Sequence, residues 1–166
     1  MKSRNQQASV KQSGVKLNGK LGNEKFVLDH LGVAVESLAK AVDFYERTLG
    51  LSVSGYETIP QEKTNVALLP LGGTRIELLE PTETDSPIGK FLAKRGAGLH
   101  HICLRVPDLR ATVARLQERG VRLVNPEPAV GAGGHRYVFV HPESTGGVLL
   151  ELVEGRSPAH TPADKR

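Results

Sequence analysis

Two stretches, DHLGVAVESLAKAVDFYERTLGLSV (29–53) and HHICLRVPDLRATVARLQERGVRLV (100–124), read as copies of one pattern. Each carries a histidine in second place, His30 and His101, followed by an apolar alternation in which Val33 and Val35 match Leu104 and Val106. Such alternation predicts strands, at 27–35 and 99–106. After a short polar break each copy turns helical. Leu38, Val42, Tyr45 and Leu49 mark one apolar helix face; Leu109, Val113, Leu116 and, less cleanly, Gly120 mark the other. Gly50 and Gly120 stand where a helix ends in a left-handed residue.

The repeat extends downstream. TRIELLEP (74–81) corresponds to GVLLELVEG (147–155), so Glu77 matches Glu151 and Glu80 matches Glu154. Each copy thus predicts strand, helix and three more strands, at 51–59, 64–71 and 74–80 in the first copy and 121–125, 135–140 and 147–153 in the second. Between them SPIGKFLAKR (86–95) predicts a short linker helix, with Ser86 as cap and Pro87 in its first turn. One βαβββ unit of about 55 residues buries little of its own sheet face. Two of them pair. The fold class is α+β, with two paired βαβββ modules forming a curved mixed sheet around a cavity. Module one spans 26–81 and module two 97–154.

The chain has 166 residues, 39% of them apolar and 24% charged, which is an ordinary globular composition. Its net charge of +4 is misleading about partners. Residues 1–25 hold six lysines and arginines against one acid, Glu24, whereas the remainder is nearly balanced. That polar start reads as a disordered basic tail, and 155–166 as a second loose tail. The folded part has neither the positive excess nor the aromatic platform that nucleic acid binding uses. No apolar run approaches the length of a membrane span. A single cysteine, Cys103, allows no intrachain disulfide and fits a reducing, cytoplasmic setting.

Four titratable residues lie on strands otherwise built of Val, Leu and Ile: His30, Glu77, His101 and Glu151. Singly, each has a plain explanation, a hydrogen-bonded strand histidine or a solvent-facing glutamate. Together they recur at equivalent places in both modules, so a pseudo-twofold arrangement brings two imidazoles and two carboxylates to one point. Buried glutamates among leucines need a partner or a metal, and this nitrogen and oxygen set suits a divalent transition metal. His100 should face away from His101, as structure or support. His141 lines a cavity mouth or serves a turn, and His135 lies near the seventh strand. Cys103 shares the face of His101 and reads as core packing. The glycine loop 131–134 can approach a ligand but carries no phosphate-loop lysine.

At these residues the chain resembles the vicinal oxygen chelate superfamily and, within it, the methylmalonyl-CoA epimerase family. The closest features are ELLEPTETDSPIGKFLAKRGAGLHHICLRV (77–106), GVRLVNPEPAVGAGG (120–134) and HPESTGGVLLELVE (141–154). The resemblance covers roughly 26–154, one vicinal oxygen chelate domain. It implies metal ligands at His30, Glu77, His101 and Glu151 and inversion at C2 of methylmalonyl-CoA, a CoA thioester, through a metal-stabilised enolate. Glu151 is then the first candidate base and Glu77 its counterpart for the opposite face. It also implies a divalent cation, cobalt first and manganese, nickel or zinc as alternatives, and a homodimer. A glutamate that some members place on the third strand is replaced here by Asn65, which cannot take a proton; Glu62 lies nearby but on a loop and out of register. A glyoxalase I-type lactoylglutathione lyase and a non-catalytic small-molecule-binding protein of the same fold are the competing readings. The intact ligand set argues against the second, and the 77–106 run against the first.

Overall fold

The computed structural model describes residues 26–131 and 134–155. The expected tail at 1–25, all but Gly155 of the expected tail at 155–166, and two residues of the glycine loop lie outside the described residues.

The first module runs β1 (Val27–Ala34), α1 (Leu38–Asp43), β2 (Gly55–Ile59), β3 (Thr64–Leu71) and β4 (Thr74–Pro81). Helix α2 (Pro87–Arg95) follows. The second module runs β5 (Gly98–Val106), α3 (Leu109–Glu118), β6 (Ala129–Val130), β7 (Arg136–Val140) and β8 (Leu149–Glu154). All eight strands form one curved sheet in the order β2-β3-β4-β1-β5-β8-β7-β6. The order is symmetric about its middle. Strand β1 pairs in parallel with β4, β5 in parallel with β8, and β1 meets β5 antiparallel to join the halves. The mixed α+β sheet expected from the repeat is thus present.

The helices form where the sequence caps them. Ser37 Oγ accepts from Lys40 N, and Glu80, reaching over from β4, accepts from Leu38 N at 3.1 Å. Asp108 Oδ1 accepts from Ala111 N at 2.8 Å at the start of α3, and Ser86 Oγ accepts from Gly89 N at 3.0 Å at the start of α2. Each such cap supplies an acceptor for an otherwise orphaned amide. Helix α1 continues into a wider π-type turn over Phe44–Thr48. Gly50 and Gly120 close the two helical arms with φ of 72° and 69°, the left-handed geometry expected of them.

Helices α1 and α3 cover the convex face of the sheet. Leu38 and Val42 pack on Ala67, Leu69 and Leu78; Leu109 and Val113 pack on Val138, Val140 and Leu152. Burying each such side chain contributes roughly 1.5–3 kcal/mol. Because side chains alternate along a strand, the intervening residues of β4 and β8, Arg75, Glu77, Leu149 and Glu151, are left for the concave face, where they line a cavity.

Two strand expectations fail locally. Strand β2 starts at Gly55 rather than 51, because the Val53 amide is taken by the Glu46 carboxylate at 3.2 Å before pairing begins. Residues 121–125 run beside β7 but make only one bridge, Leu123 to Val140. There the Asn125 side chain replaces ladder bonds, accepting from Phe139 N at 2.8 Å, and Pro126 and Pro128 interrupt the backbone donors that follow. The edge strand forms later, at Ala129–Val130.

Candidate metal centre

The β1–β5 ladder contains two irregularities that build the site. Leu28 pairs with Leu104 and His30 with Cys103, leaving Asp29 as an extra residue on β1. Val33 pairs with Leu99 and Gly32 with His101, leaving His100 as an extra residue on β5. Each is a bulge, which locally breaks the alternation of side chains. Consecutive residues, Asp29 with His30 and His100 with His101, therefore all line the concave cavity. The expectation that His100 faces the other way is corrected: strict two-residue alternation fails where a strand gains a residue.

The bulges are repeat equivalents and do the same job. Asp29 Oδ1 lies 3.0 Å from His30 Nδ1, and His100 Nδ1 lies 2.8 Å from His101 Nδ1. Both rings are thus held from behind, and both Nε2 atoms point inward, 3.0 Å apart. Glu151 Oε2 completes the set at 3.3 Å from His30 Nε2 and 3.1 Å from His101 Nε2. The ligand atoms of His30, His101 and Glu151 all lie within 4.8 Å of one another. Two imidazole nitrogens and one carboxylate fit a borderline divalent cation, and rear support of the imidazoles is what ligating histidines need.

Gly32 makes room for this arrangement. A Cβ there would sit 2.2 Å from His101 Cε1, so only glycine lets the ring lie over the strand.

Glu77 stands beside the trio. Its Oε1 is 3.5 Å from His30 Nδ1 and accepts from Arg75 Nε at 2.7 Å and Arg75 Nη2 at 2.6 Å. Arg75 Nη1 also reaches Asp29 Oδ1 at 2.7 Å, and Arg105 Nε reaches Asp29 Oδ2 at 2.7 Å. Of the four sequence-derived ligands, three converge and the fourth is held next to them by a guanidinium.

Charge inside the cavity is arranged accordingly. Burial disfavours a charged His30, but the Asp29 and Glu151 hydrogen bonds and the Glu77 charge outweigh it and raise its pKa to about 9. Burial works against the Glu151 carboxylate, yet its bonds to His101 and His30 hold it down at about 2. Asp29 is likewise kept well below the usual range: burial opposes ionisation, and His30, Arg75 and Arg105 overcome it. His100 is lowered to about 4 by burial and by His101, which favours its neutral form. Burial first, then the charges of Glu151, Asp29 and Glu77, push the Cys103 thiol upward. Cys103 is fully buried and packs as expected, although its Sγ, Asp29 and His30 also cluster within 4.8 Å.

The cavity measures about 630 Å³. Ile59, Leu79, Ile88 and Val153 give it apolar walls, and Phe139 packs edge-on to His101 with centroids 5.6 Å apart. Glu62, set aside in sequence as out of register, lines it, with Oε1 accepting from Tyr137 OH at 2.7 Å across the two modules. Thr64 lines it too, whereas Asn65 bonds Thr58 Oγ1 at 2.9 Å instead. His135 lines the cavity; His141 serves a turn, accepting from Glu143 N at 3.2 Å. Asp29, Arg75, Arg105 and Tyr137 were not singled out in sequence. For Asp29 a signal existed, since the repeat sets it opposite His100, each immediately before a candidate ligand histidine.

A model of the Glyoxalase/Bleomycin resistance protein/Dioxygenase superfamily matches residues 29–139. The mitochondrial methylmalonyl-CoA epimerase of Homo sapiens is 42% identical over 126 residues, 75% of this chain and 72% of that protein. The ethylmalonyl-CoA/methylmalonyl-CoA epimerase of Cereibacter sphaeroides is 41% identical over 127 residues, 75% of this chain and 95% of that protein. Among solved structures, a Streptomyces coelicolor methylmalonyl-CoA epimerase variant in complex with 2-nitronate-propionyl-CoA superposes with a TM-score of 0.75 at 38% identity, covering 79% of this chain and 95% of that one. The chain belongs to this superfamily and, within it, to the methylmalonyl-CoA epimerase family.

Proposed function

We propose that this chain interconverts the C2 epimers of methylmalonyl-CoA, with His30, His101 and Glu151, joined by Glu77, holding a divalent cation. The observation that carries the reading is the convergence of two imidazole nitrogens and a carboxylate oxygen, drawn from both modules, at 3.0 to 3.3 Å in the wall of the cavity. When bound, such a cation supplies Lewis-acid stabilisation to negative charge growing on a thioester oxygen. Cobalt is the first choice, and manganese, nickel and zinc fit the same donors.

The protein's own part is positioning and proton movement. C2 lies between a thioester and a carboxylate, and its proton must leave one face and return to either. Glu151 stands against the imidazole pair and is the first candidate to take it. Glu77, its counterpart on the other module, serves the opposite face. The apolar walls exclude water from the carbanionic carbon, and a cavity of about 630 Å³ admits the acyl group with part of the pantetheine arm. Both histidines are held from behind, so neither needs to reorganise as charge develops.

The test is incubation of one methylmalonyl-CoA epimer with the cobalt-loaded protein in deuterated water. Deuterium should enter at C2 and both epimers should appear. Glu151→Gln should abolish the exchange while cobalt remains bound; full exchange in that variant would remove Glu151 from the role. Turnover of the glutathione hemithioacetal, without C2 exchange in methylmalonyl-CoA, would favour a glyoxalase I-type lyase instead. The proposal extends to a homodimer, which light scattering of the purified protein checks, and to a cytoplasmic location, which cell fractionation checks.

A further inference from the structure

The two repeat-equivalent glutamates are in different electrostatic situations. Two residues before Glu151 stands Leu149; two residues before Glu77, on the same face of β4, stands Arg75. Glu151 Oε2 lies 3.3 and 3.1 Å from two imidazole Nε2 atoms. Glu77 instead has its Oε1 gripped by two guanidinium nitrogens of Arg75, at 2.6 and 2.7 Å. The third nitrogen of that guanidinium is anchored on Asp29 at 2.7 Å, and Asp29 in turn is steadied by Arg105. The fork is therefore fixed at both ends, and it occupies Oε1, the carboxylate oxygen nearest His30.

A guanidinium and a divalent cation cannot both take full possession of one carboxylate oxygen. The charge-assisted contact to Arg75 is of the strong kind, and the arginine adds a positive charge beside any incoming dication. Glu77 is also buried, so water screens neither interaction.

We propose that Arg75 competes with the cation for Glu77, so that His30, His101 and Glu151 form the standing part of the centre and Glu77 is an exchangeable fourth ligand. This rests on the cation-binding reading above. Arg75 is a positioning residue in this account. It weakens cation binding, and it leaves the centre able to release one protein ligand when a substrate with two oxygens arrives. Its repeat partner Leu149 exerts no such hold, which is why only one of the two glutamates behaves in this way.

The experiment is a chelator competition for Co²⁺ with the full-length protein, together with the visible spectrum of the bound cobalt. Arg75→Met should bind Co²⁺ at least tenfold more tightly than the unaltered protein and shift the cobalt spectrum, as a fourth protein ligand engages fully. Arg75→Lys, which keeps the charge but loses the fork, should fall between the two. Glu77→Gln alone should weaken binding only a few-fold, and added to Arg75→Met it should erase both the gain and the spectral shift. Should Arg75→Met fail to fold, Arg75→Gln carries the same comparison. A folded Arg75 variant that binds Co²⁺ no more tightly than the unaltered protein overturns the competition while leaving the cation reading standing. Failure of the unaltered protein to bind any of the four divalent cations overturns both.

Discussion

His30 and His101 face each other Nε2 to Nε2 at 3.0 Å, each ring pinned at Nδ1 by the side chain of the residue before it. The pins differ in kind. Asp29 is an anion locked by two arginines, while His100 is a neutral imidazole wedged against Phe91 with ring centroids 5.0 Å apart. The two halves present the same donor atom backed by different chemistry.

Asp29→Asn tests that backing. The amide keeps the shape but loses the charge that orients His30 and neutralises Arg75 and Arg105. Cation affinity should fall about 10- to 100-fold, the usual effect of removing such support. Isothermal titration with Co²⁺ measures it, and an unchanged dissociation constant would show that the carboxylate is not what holds the ring.

Gly32→Ala should be more severe than its single methyl suggests. The added carbon lands 2.2 Å from His101 Cε1, so ring or strand must move. Overpacking of this kind costs about 1–3 kcal/mol of stability. Cobalt retention after dialysis should drop out of proportion to that loss if the displaced ring is the ligand proposed above. A variant that keeps both its denaturation midpoint and its cobalt content would contradict the geometry.

Protonation of the centre makes the stability of cation-stripped protein depend on pH in a defined direction. His30 is raised from 6.5 to about 9 on folding, so its contribution is complete below 6.5 and is lost as pH rises through 9. Glu151 is lowered from 4.5 to about 2, so its contribution is complete above 4.5 and is lost as pH falls toward 2. Without a cation the melting temperature should therefore peak between 4.5 and 6.5 and decline on both sides. The alkaline decline corresponds to roughly 3 kcal/mol at most. Added cobalt takes the place of the shared proton and should flatten that limb. Calorimetry in the presence and absence of chelator reads both limbs, and a level profile from pH 6.5 to 9 in chelator would be inconsistent with a charged His30.

Tyr137→Phe deletes the hydrogen bond from module two to Glu62 of module one. A net loss of about 1 kcal/mol is expected in urea denaturation. The freed carboxylate stays in the cavity wall, so cation affinity should change less than twofold. A large change in affinity would mean that Glu62 communicates with the trio in a way the contacts do not indicate.

Much of this was legible in the sequence because the repeat supplied an internal control. His30 and His101, or Glu77 and Glu151, mean little one at a time, but their recurrence in matched strands located the centre without any coordinates. The bulges were not legible. An inserted residue leaves local composition unchanged, so the parity argument that sent His100 to the opposite face had no warning of its failure. Arg75 and Arg105 looked like ordinary strand arginines, since their partners Glu77 and Asp29 become neighbours only once the strands lie side by side. Likewise Val121 and Leu123 kept the apolar alternation of a strand, while the structure satisfied their neighbourhood through the Asn125 side chain.

Strands β1 and β5 form the seam between the halves, and both histidines ride on it. A slip of either strand by one residue would turn inward side chains outward and scatter the donors. The proposed centre thus depends on a single ladder being zipped at one setting. One misplaced pairing along that seam would undo the donor cluster and the packing behind it together.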